Sequence, residues 1–234
     1  MAPPSPPCNA VTTLVIATGN AHKVGEIRGI LGGGYACLTL RDFPGAPSPV
    51  EDAPTFAGNA AIKARSLAAW VAARDTGGQE HAGYWVLADD SGLEVDALGG
   101  APGVHSARFA ALDGGRPGNS PTAENNAKLL RCLAEVPAEQ RGARFRCVLA
   151  LARVTAPEEI ALFEGACPGR IIEGHRGREG FGYDPLFIPD GYDLTFAELG
   201  DEVKNRISHR ASAVTALAAW LATANPARPG FPPG

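Results

Sequence analysis

The sequence predicts an α/β fold in which a mixed β-sheet is flanked by helices, and three observations carry that prediction. A short apolar, β-branched run, Leu14-Val15-Ile16-Ala17, leads through a Thr-Gly-Asn turn into a helical repeat. A second apolar run, Trp85-Val86-Leu87-Ala88, meets a pair of acids. Residues 144–153 alternate with period two, as a strand with two distinct faces does. Strand and helix patterns mix without strict βα alternation, which predicts a sheet with both parallel and antiparallel pairs.

Taken in order, residues 14–17 read as a buried strand. Val24, Ile27 and Leu31 then share one helix face, and Gly32-Gly33-Gly34 ends that helix. A loop rich in proline and acid follows over residues 41–54. Residues 55–74 form an alanine-rich helix with Ile62, Leu67, Trp70 and Val71 inward. Residues 85–88 are a second buried strand, with Asp89-Asp90-Ser91-Gly92 just past its end and a glycine-rich loop at 98–103. Residues 121–133 read as a helix, with Pro121 in the first turn where no N–H is needed. In the alternating strand, Phe145, Cys147, Leu149 and Leu151 oppose Arg144, Arg146, Val148 and Ala150. Two more strands are expected near 160–166 and 170–175, and residues 208–221 close the fold as a helix with Val214, Leu217 and Leu221 inward.

The 234 residues suit one domain over 14–222, between a disordered Pro-rich extension at 1–13 and a flexible tail at 223–234. No apolar run approaches the roughly 18–20 residues of a spanning helix, and the N-terminus has no secretory pattern, so no membrane partner is expected. The five cysteines are odd in number, widely spaced and without CxxC. That argues against a zinc site or a disulfide framework and for a reducing cytoplasm. The net charge of −4, with no basic block, argues against a nucleic-acid partner.

Five stretches carry candidate chemistry. Thr18-Gly19-Asn20-Ala21-His22-Lys23 opens a helix, where free N–H groups and the dipole favour an anion; the plain alternative is a capped helix with a solvated lysine. Asp89-Asp90 follows an apolar strand, where a hard cation or a general base is at home; the alternative is a turn. Adjacent strand residues point opposite ways, so one of the two faces the ligand and the other supports it. Glu51 can complete a metal site near Asn59 and Lys63, which share one helix face; the alternative is a solvated surface. Gly180-Phe181-Gly182-Tyr183-Asp184 offers two aromatics as a platform for a base and an acid for a ring nitrogen or sugar; the alternative is core packing. In Lys204-Asn205-Arg206-Ile207-Ser208-His209-Arg210, Ser208 is a good N-cap and the basic residues suit an anionic or carbonyl-bearing ligand; the alternative is a solvated helix start.

In order, TGNAHK, TFAGNAAIKAR, ADDSGLEVDALGGAPGVHSAR, FRCVLAL, GFGYDP and KNRISHR resemble the inosine triphosphate pyrophosphatase family, also called the Ham1-like or non-canonical purine triphosphatase family. The resemblance runs over residues 14–221. It implies an elongated sheet with two lobes, the active-site cleft between them, and a homodimer. It implies Mg²⁺-dependent hydrolysis of ITP, dITP and XTP to the monophosphate and pyrophosphate. It makes Asp90 the acid/base and a metal ligand, and Glu51 the second metal candidate. It assigns the triphosphate to residues 18–23 and Lys63, and nucleotide contacts to Ser91, Phe181, Gly182, Tyr183, Asp184, Lys204, His209 and Arg210. The chain departs from the family pattern at Val50, where many members carry an acid, and at Asp52-Ala53. The competing readings are a pyrophosphatase of broad or canonical dNTP specificity and a non-catalytic nucleotide-binding protein.

Overall fold

The computed structural model describes residues 12–75, 80–115 and 117–224. The two expected tails lie outside the described residues except at their inner ends, where Thr13 opens the first strand and the last helix runs to Ala224. Among the described residues, no helix is long and apolar enough to cross a membrane.

Strand β1 (Thr13–Ile16) lies between two parallel neighbours, β2 (Ala36–Thr39) and β3 (Tyr84–Val95). β3 then pairs antiparallel with β4 (Gly142–Arg153), β4 with β5 (Ala156–Ile171), and β5 with the short β6 (Phe187–Pro189). The sheet order is β2-β1-β3-β4-β5-β6, the mixed sheet the pattern predicts.

Helix α1 (Ala21–Leu31) and helix α5 (His209–Ala224) cover one face, over Leu14, Ile16, Leu87, Cys147, Leu149 and Leu151. Helix α2 (Phe56–Arg74) covers the other face. It sets Ala60, Ala64, Leu67, Ala68 and Val71 against Val15, Val86, Ala88 and Ala150, and small residues on both sides allow close approach. At the far end of the long strands, a third cluster joins Leu93, Val95 and Phe145 to α3 (Thr122–Cys132), to β6 and to α4 (Phe196–Ile207).

Three differences from the sequence reading have physical causes. The strand expected to stop at Ala88 continues to Val95, so Asp89 and Asp90 lie within β3 rather than past its end. The parallel ladder with β1 ends at Leu87, whereas the ladder with β4 continues through Val95. Apolarity marked only the doubly covered half of the strand. The two strands expected at 160–166 and 170–175 are one strand, β5. Pro168 stays in register opposite Arg144, and Gly169 has no Cβ where the Ile188 carbonyl comes close. α4 was not anticipated, and Gly200 kinks it at φ 74°. β2 and β6 were likewise unmarked.

Gly165 on β5 faces the start of α5, and a Cβ there would meet the His209 carbonyl and lie 2.6 Å from the Ala213 nitrogen. Neither is the end of a flexible side chain. Gly165→Ala is expected to lower unfolding stability by about 1–3 kcal/mol through overpacking, read as a fall in the urea midpoint.

Candidate active site

The β1–α1 turn is built by its own side chains. Thr18 Oγ1 accepts the Asn20 N–H at 3.2 Å, and Asn20 Oδ1 caps α1 by accepting from the His22 and Lys23 N–H groups. The Gly19 and Ala21 N–H groups have no partner among the described residues. The space where a Cβ of Gly19 would sit is open for 4 Å. The glycine therefore serves room in front of the turn rather than packing behind it, as phosphate binding at a helix N-terminus requires.

Strand alternation divides the acidic pair between the two faces of the sheet. Asp89 turns toward α1 and α5 and is fully buried. It accepts from Lys23 Nζ at 2.5 Å, Arg210 Nε at 2.8 Å, Ser91 Oγ at 2.9 Å and the Cys147 thiol at 3.3 Å. The Arg210 guanidinium also donates to Glu26 and, at 2.8 Å, to Ser91 Oγ. Lys204 joins Glu26 at 2.7 Å to Asp184 at 2.6 Å. Three carboxylates and three cations are thus tied together, with no net charge, between α1, β3, α4 and α5. Burial alone would raise the Asp89 carboxyl, but Arg210 and Lys23 outweigh it and hold it well below the usual carboxylate range.

Asp90 turns toward α2. Its Oδ1 accepts from Lys63 Nζ at 3.1 Å and its Oδ2 from Asn59 Nδ2 at 3.2 Å. Lys63 Nζ also reaches Glu51 Oε2 at 2.8 Å. The loop that carries Glu51 is pinned by Asn59 Oδ1, which accepts the Ala53 N–H at 3.0 Å, and by Arg108, which donates to the Glu51 carbonyl at 3.3 Å. Here burial wins: it pushes the Asp90 carboxyl up, and Lys63 and Lys23 offset it only in part. A raised carboxyl facing a cleft is the condition for a general base.

Two neighbouring hollows share Asn20, Lys23 and Ser91 in their walls. A slot of about 240 Å³ is walled by Phe145, Phe181, Lys204 and His209. A wider cleft of about 1490 Å³ takes in Thr18, Gly19, Glu51, Lys63 and Asp90. Phe181 in the slot wall has Lys204 Nζ 4.4 Å from its ring, and the exposed His22, which lines neither hollow, stacks on it with centroids 5.2 Å apart. His209 stacks on Phe145 at 4.9 Å, and its Nδ1 has no hydrogen-bond partner among the described residues. Burial, with Arg210 and Lys204 nearby, holds its pKa well below the ordinary value, so the ring is neutral.

The geometry revises several single roles. Arg210 lines the slot, but Nε, Nη1 and Nη2 are all engaged by Asp89, Glu26 and Ser91, so it is a wall and an anchor before it is a donor to a base. His209 is neutral and offers one N–H and one acceptor rather than a positive charge. Of the two aromatics expected as a platform, Phe181 presents its ring, while the buried Tyr183 donates its hydroxyl to the Ser106 carbonyl at 2.9 Å. Asp184 is buried, accepts the Phe181 N–H at 2.8 Å and pairs with Lys204; it shapes the loop under Phe181. Gly182 supports that loop by accepting from Asn126 Nδ2 at 3.1 Å. Glu26, Phe145 and Arg108 were not anticipated. Glu26 left a readable sign, an acid beside Ile27 on an inward-facing helix; the other two gave none.

A model of the Ham1 family matches residues 14–220. The chain is 46% identical over 216 residues to a dITP/XTP pyrophosphatase of Opitutus terrae, covering 88% of this chain and 97% of that protein. It is 48% identical over 202 residues to a dITP/XTP pyrophosphatase of Desulforamulus reducens, covering 86% and 91%. Among solved structures, the Staphylococcus aureus Ham1 protein superposes with a TM-score of 0.74 at 33% identity, over 91% of this chain and 100% of that one. A HAM1 protein from Coxiella burnetii gives 0.73 at 35% identity, over 90% and 98%.

Arg210→Met would leave Asp89 and Glu26 buried without their shared cation. A loss of about 3–5 kcal/mol in unfolding free energy is expected. The folded pKa values of Asp89 and Glu26 are lowered, so their contribution to stability is present above about pH 4 and is lost as pH falls through those lowered values. Urea unfolding of the native protein should therefore weaken steeply below that pH, and the Arg210→Met variant should show a shallower acid limb.

Proposed function

Because the chain belongs to the Ham1 family, we propose that it hydrolyses the non-canonical purine nucleotides dITP, ITP and XTP to the monophosphate and pyrophosphate. One observation carries the reading to this chain's own residues: a base-sized slot shares Asn20, Lys23 and Ser91 with a cleft where a raised carboxylate, Asp90, stands between Lys63 and Asn59.

The purine enters the slot against Phe181 and His209, and the triphosphate lies along the cleft. The free N–H groups of Gly19 and Ala21, with Lys23, receive phosphate oxygens at the positive end of α1. Asp90 takes a proton from the water that attacks the α-phosphorus, and its raised pKa strengthens it for that task. Lys23 and Lys63 then balance the charge that gathers on departing pyrophosphate.

Mg²⁺ fits the cleft. Glu51 Oε2 and Asp90 Oδ1 converge on a single cationic atom, Lys63 Nζ, at 2.8 and 3.1 Å. No larger cluster of acids, histidines or cysteines able to hold a metal gathers among the described residues. Two carboxylates suffice for Mg²⁺, which completes its shell with waters and substrate phosphates. When bound there, the ion supplies charge neutralisation and polarisation of phosphate oxygens.

Base choice follows from the slot. A 6-oxo group accepts from His209 in the tautomer that turns its N–H to the slot; the 6-amino group of adenine would leave that donor unpaired, or need the opposite tautomer, at up to about 1–3 kcal/mol. Guanine shares the oxo group, so its rejection rests on a donor opposing the 2-amino group. The protein works in a reducing cytoplasm, which its free Cys37, Cys132, Cys147 and Cys167 suit, and as a homodimer, which the family resemblance supports. Sedimentation at twice the chain mass tests the dimer.

Pyrophosphate release over ITP, dITP, XTP, GTP and dTTP, with Mg²⁺ and with EDTA, tests the function. The first three should turn over well ahead of the others, and EDTA should abolish release. Equal turnover of GTP and ITP would refute the base reading. Asp90→Asn should lose roughly a hundredfold or more of turnover while retaining nucleotide binding.

A further inference from the structure

We propose that Lys63 is an internal stand-in for the divalent ion. In the nucleotide-free protein its ammonium holds Glu51 and Asp90 together and keeps the ion out, and the substrate triphosphate opens the site by drawing Lys63 away. The inference rests on the reading of Glu51 and Asp90 as the ion's protein ligands.

The geometry has the form of an occupied cation site. The two carboxylates come from separate elements, the 50–54 loop and β3, and they converge on Lys63 Nζ at 2.8 and 3.1 Å. The Asp90 carboxylate and the backbone that carries Glu51 are held independently of the lysine, while the Glu51 carboxylate itself is held by Lys63. Asn59 donates to the other oxygen of Asp90 at 3.2 Å and accepts from Ala53 in the Glu51 loop at 3.0 Å. Arg108 adds a third hold, on the Glu51 carbonyl. Lys63 can leave without dismantling the frame.

Burial and charge decide when it leaves. Only 13% of the Lys63 side chain and 11% of the Asp90 side chain are exposed. The Glu51 side chain is 38% exposed, yet an ion entering the free protein must break both ion pairs and leave the Lys63 ammonium without a carboxylate partner, beside a second positive charge. Breaking a buried pair in that way is strongly unfavourable. The triphosphate removes the obstacle, because its oxygens give the ammonium a new partner within the same cleft. Lysine is suited to the exchange, being a point charge on a flexible four-carbon stem that moves without its helix. Charge balance changes in the same sense: one ammonium half-neutralises two carboxylates, whereas a divalent ion neutralises both as phosphate charge arrives. By linkage, nucleotide and ion then raise each other's affinity by the same factor.

The test uses Mn²⁺, which takes the same oxygen ligands and is counted by electron paramagnetic resonance, titrated into the full chain without nucleotide. Lys63→Met removes the ammonium and keeps an apolar stem. The wild type should bind weakly and the variant roughly ten- to a hundredfold more tightly, as when the lysine-free site is about 1–10% populated. Equal affinities would overturn the stand-in. Adding Glu51→Gln and Asp90→Asn to the Lys63→Met variant separates the two ideas. If tight binding persists in that triple variant, the ligand reading itself fails. Melting temperature keeps the proposal testable even where Lys63→Met folds poorly. The variant should melt low in EDTA and recover in Mg²⁺, and the wild type should be insensitive to Mg²⁺; a wild type raised by Mg²⁺ alone would contradict the proposal.

Discussion

Everything at the site hangs on one buried ion pair, Arg210 with Asp89. The pair joins the first turn of α5 to the middle of β3, and through Glu26 and Lys204 it reaches α1 and α4. Two charges removed from water are tolerable only when every lone pair and proton finds a partner. Here Ser91, Lys23, Glu26 and the Cys147 thiol complete the set. The consequence is positional. Four elements distant in sequence can meet in one arrangement that leaves no buried charge alone, and that arrangement leaves the slot and the cleft open on either side of Ser91.

Strand alternation does the rest. Because Asp89 must face the network, Asp90 must face the other way, toward α2, Lys63 and Glu51. A single-residue step separates opposite electrostatic outcomes. Asp89 is held ionised by two close cations, Arg210 and Lys23, and its pKa is low; Asp90 has one, Lys63, shared with Glu51, and burial pushes its pKa up. A structural counter-ion and a carboxylate suited to act as a base thus come from neighbouring identical side chains by the pleat of one strand.

The sequence disclosed most of this at the level of residues and less at the level of contacts. Alternation through 144–153, the apolar runs at 14–17 and 85–88, and the Ser208 cap, whose Oγ accepts the Ala211 N–H at 3.1 Å, were all legible locally. The full length of β3 was not, since its second half is held by β4 pairing and by polar partners rather than by an apolar run. The candidate site residues were legible as a set, and the split of the acidic pair followed from period two alone. What stayed hidden were partners across long sequence distance: Glu26 for Arg210, Phe145 behind His209, Arg108 on the Glu51 loop. Local pattern cannot show which buried charge neutralises which, so Arg210 and Asp184 looked like ligand contacts and are first of all anchors.

The central claim is that identical neighbours hold opposite duties, and unfolding free energy measures it most directly. Asp89→Asn and Asp90→Asn change the same atoms one position apart. Urea unfolding at neutral pH should find Asp89→Asn destabilised by about 3–5 kcal/mol, because Arg210 and Lys23 lose a buried partner. Asp90→Asn should lose far less, because the fold already disfavours its charged form and Glu51 still pairs with Lys63. Equal losses in the two variants, or the larger loss at Asp90, would contradict the division of roles.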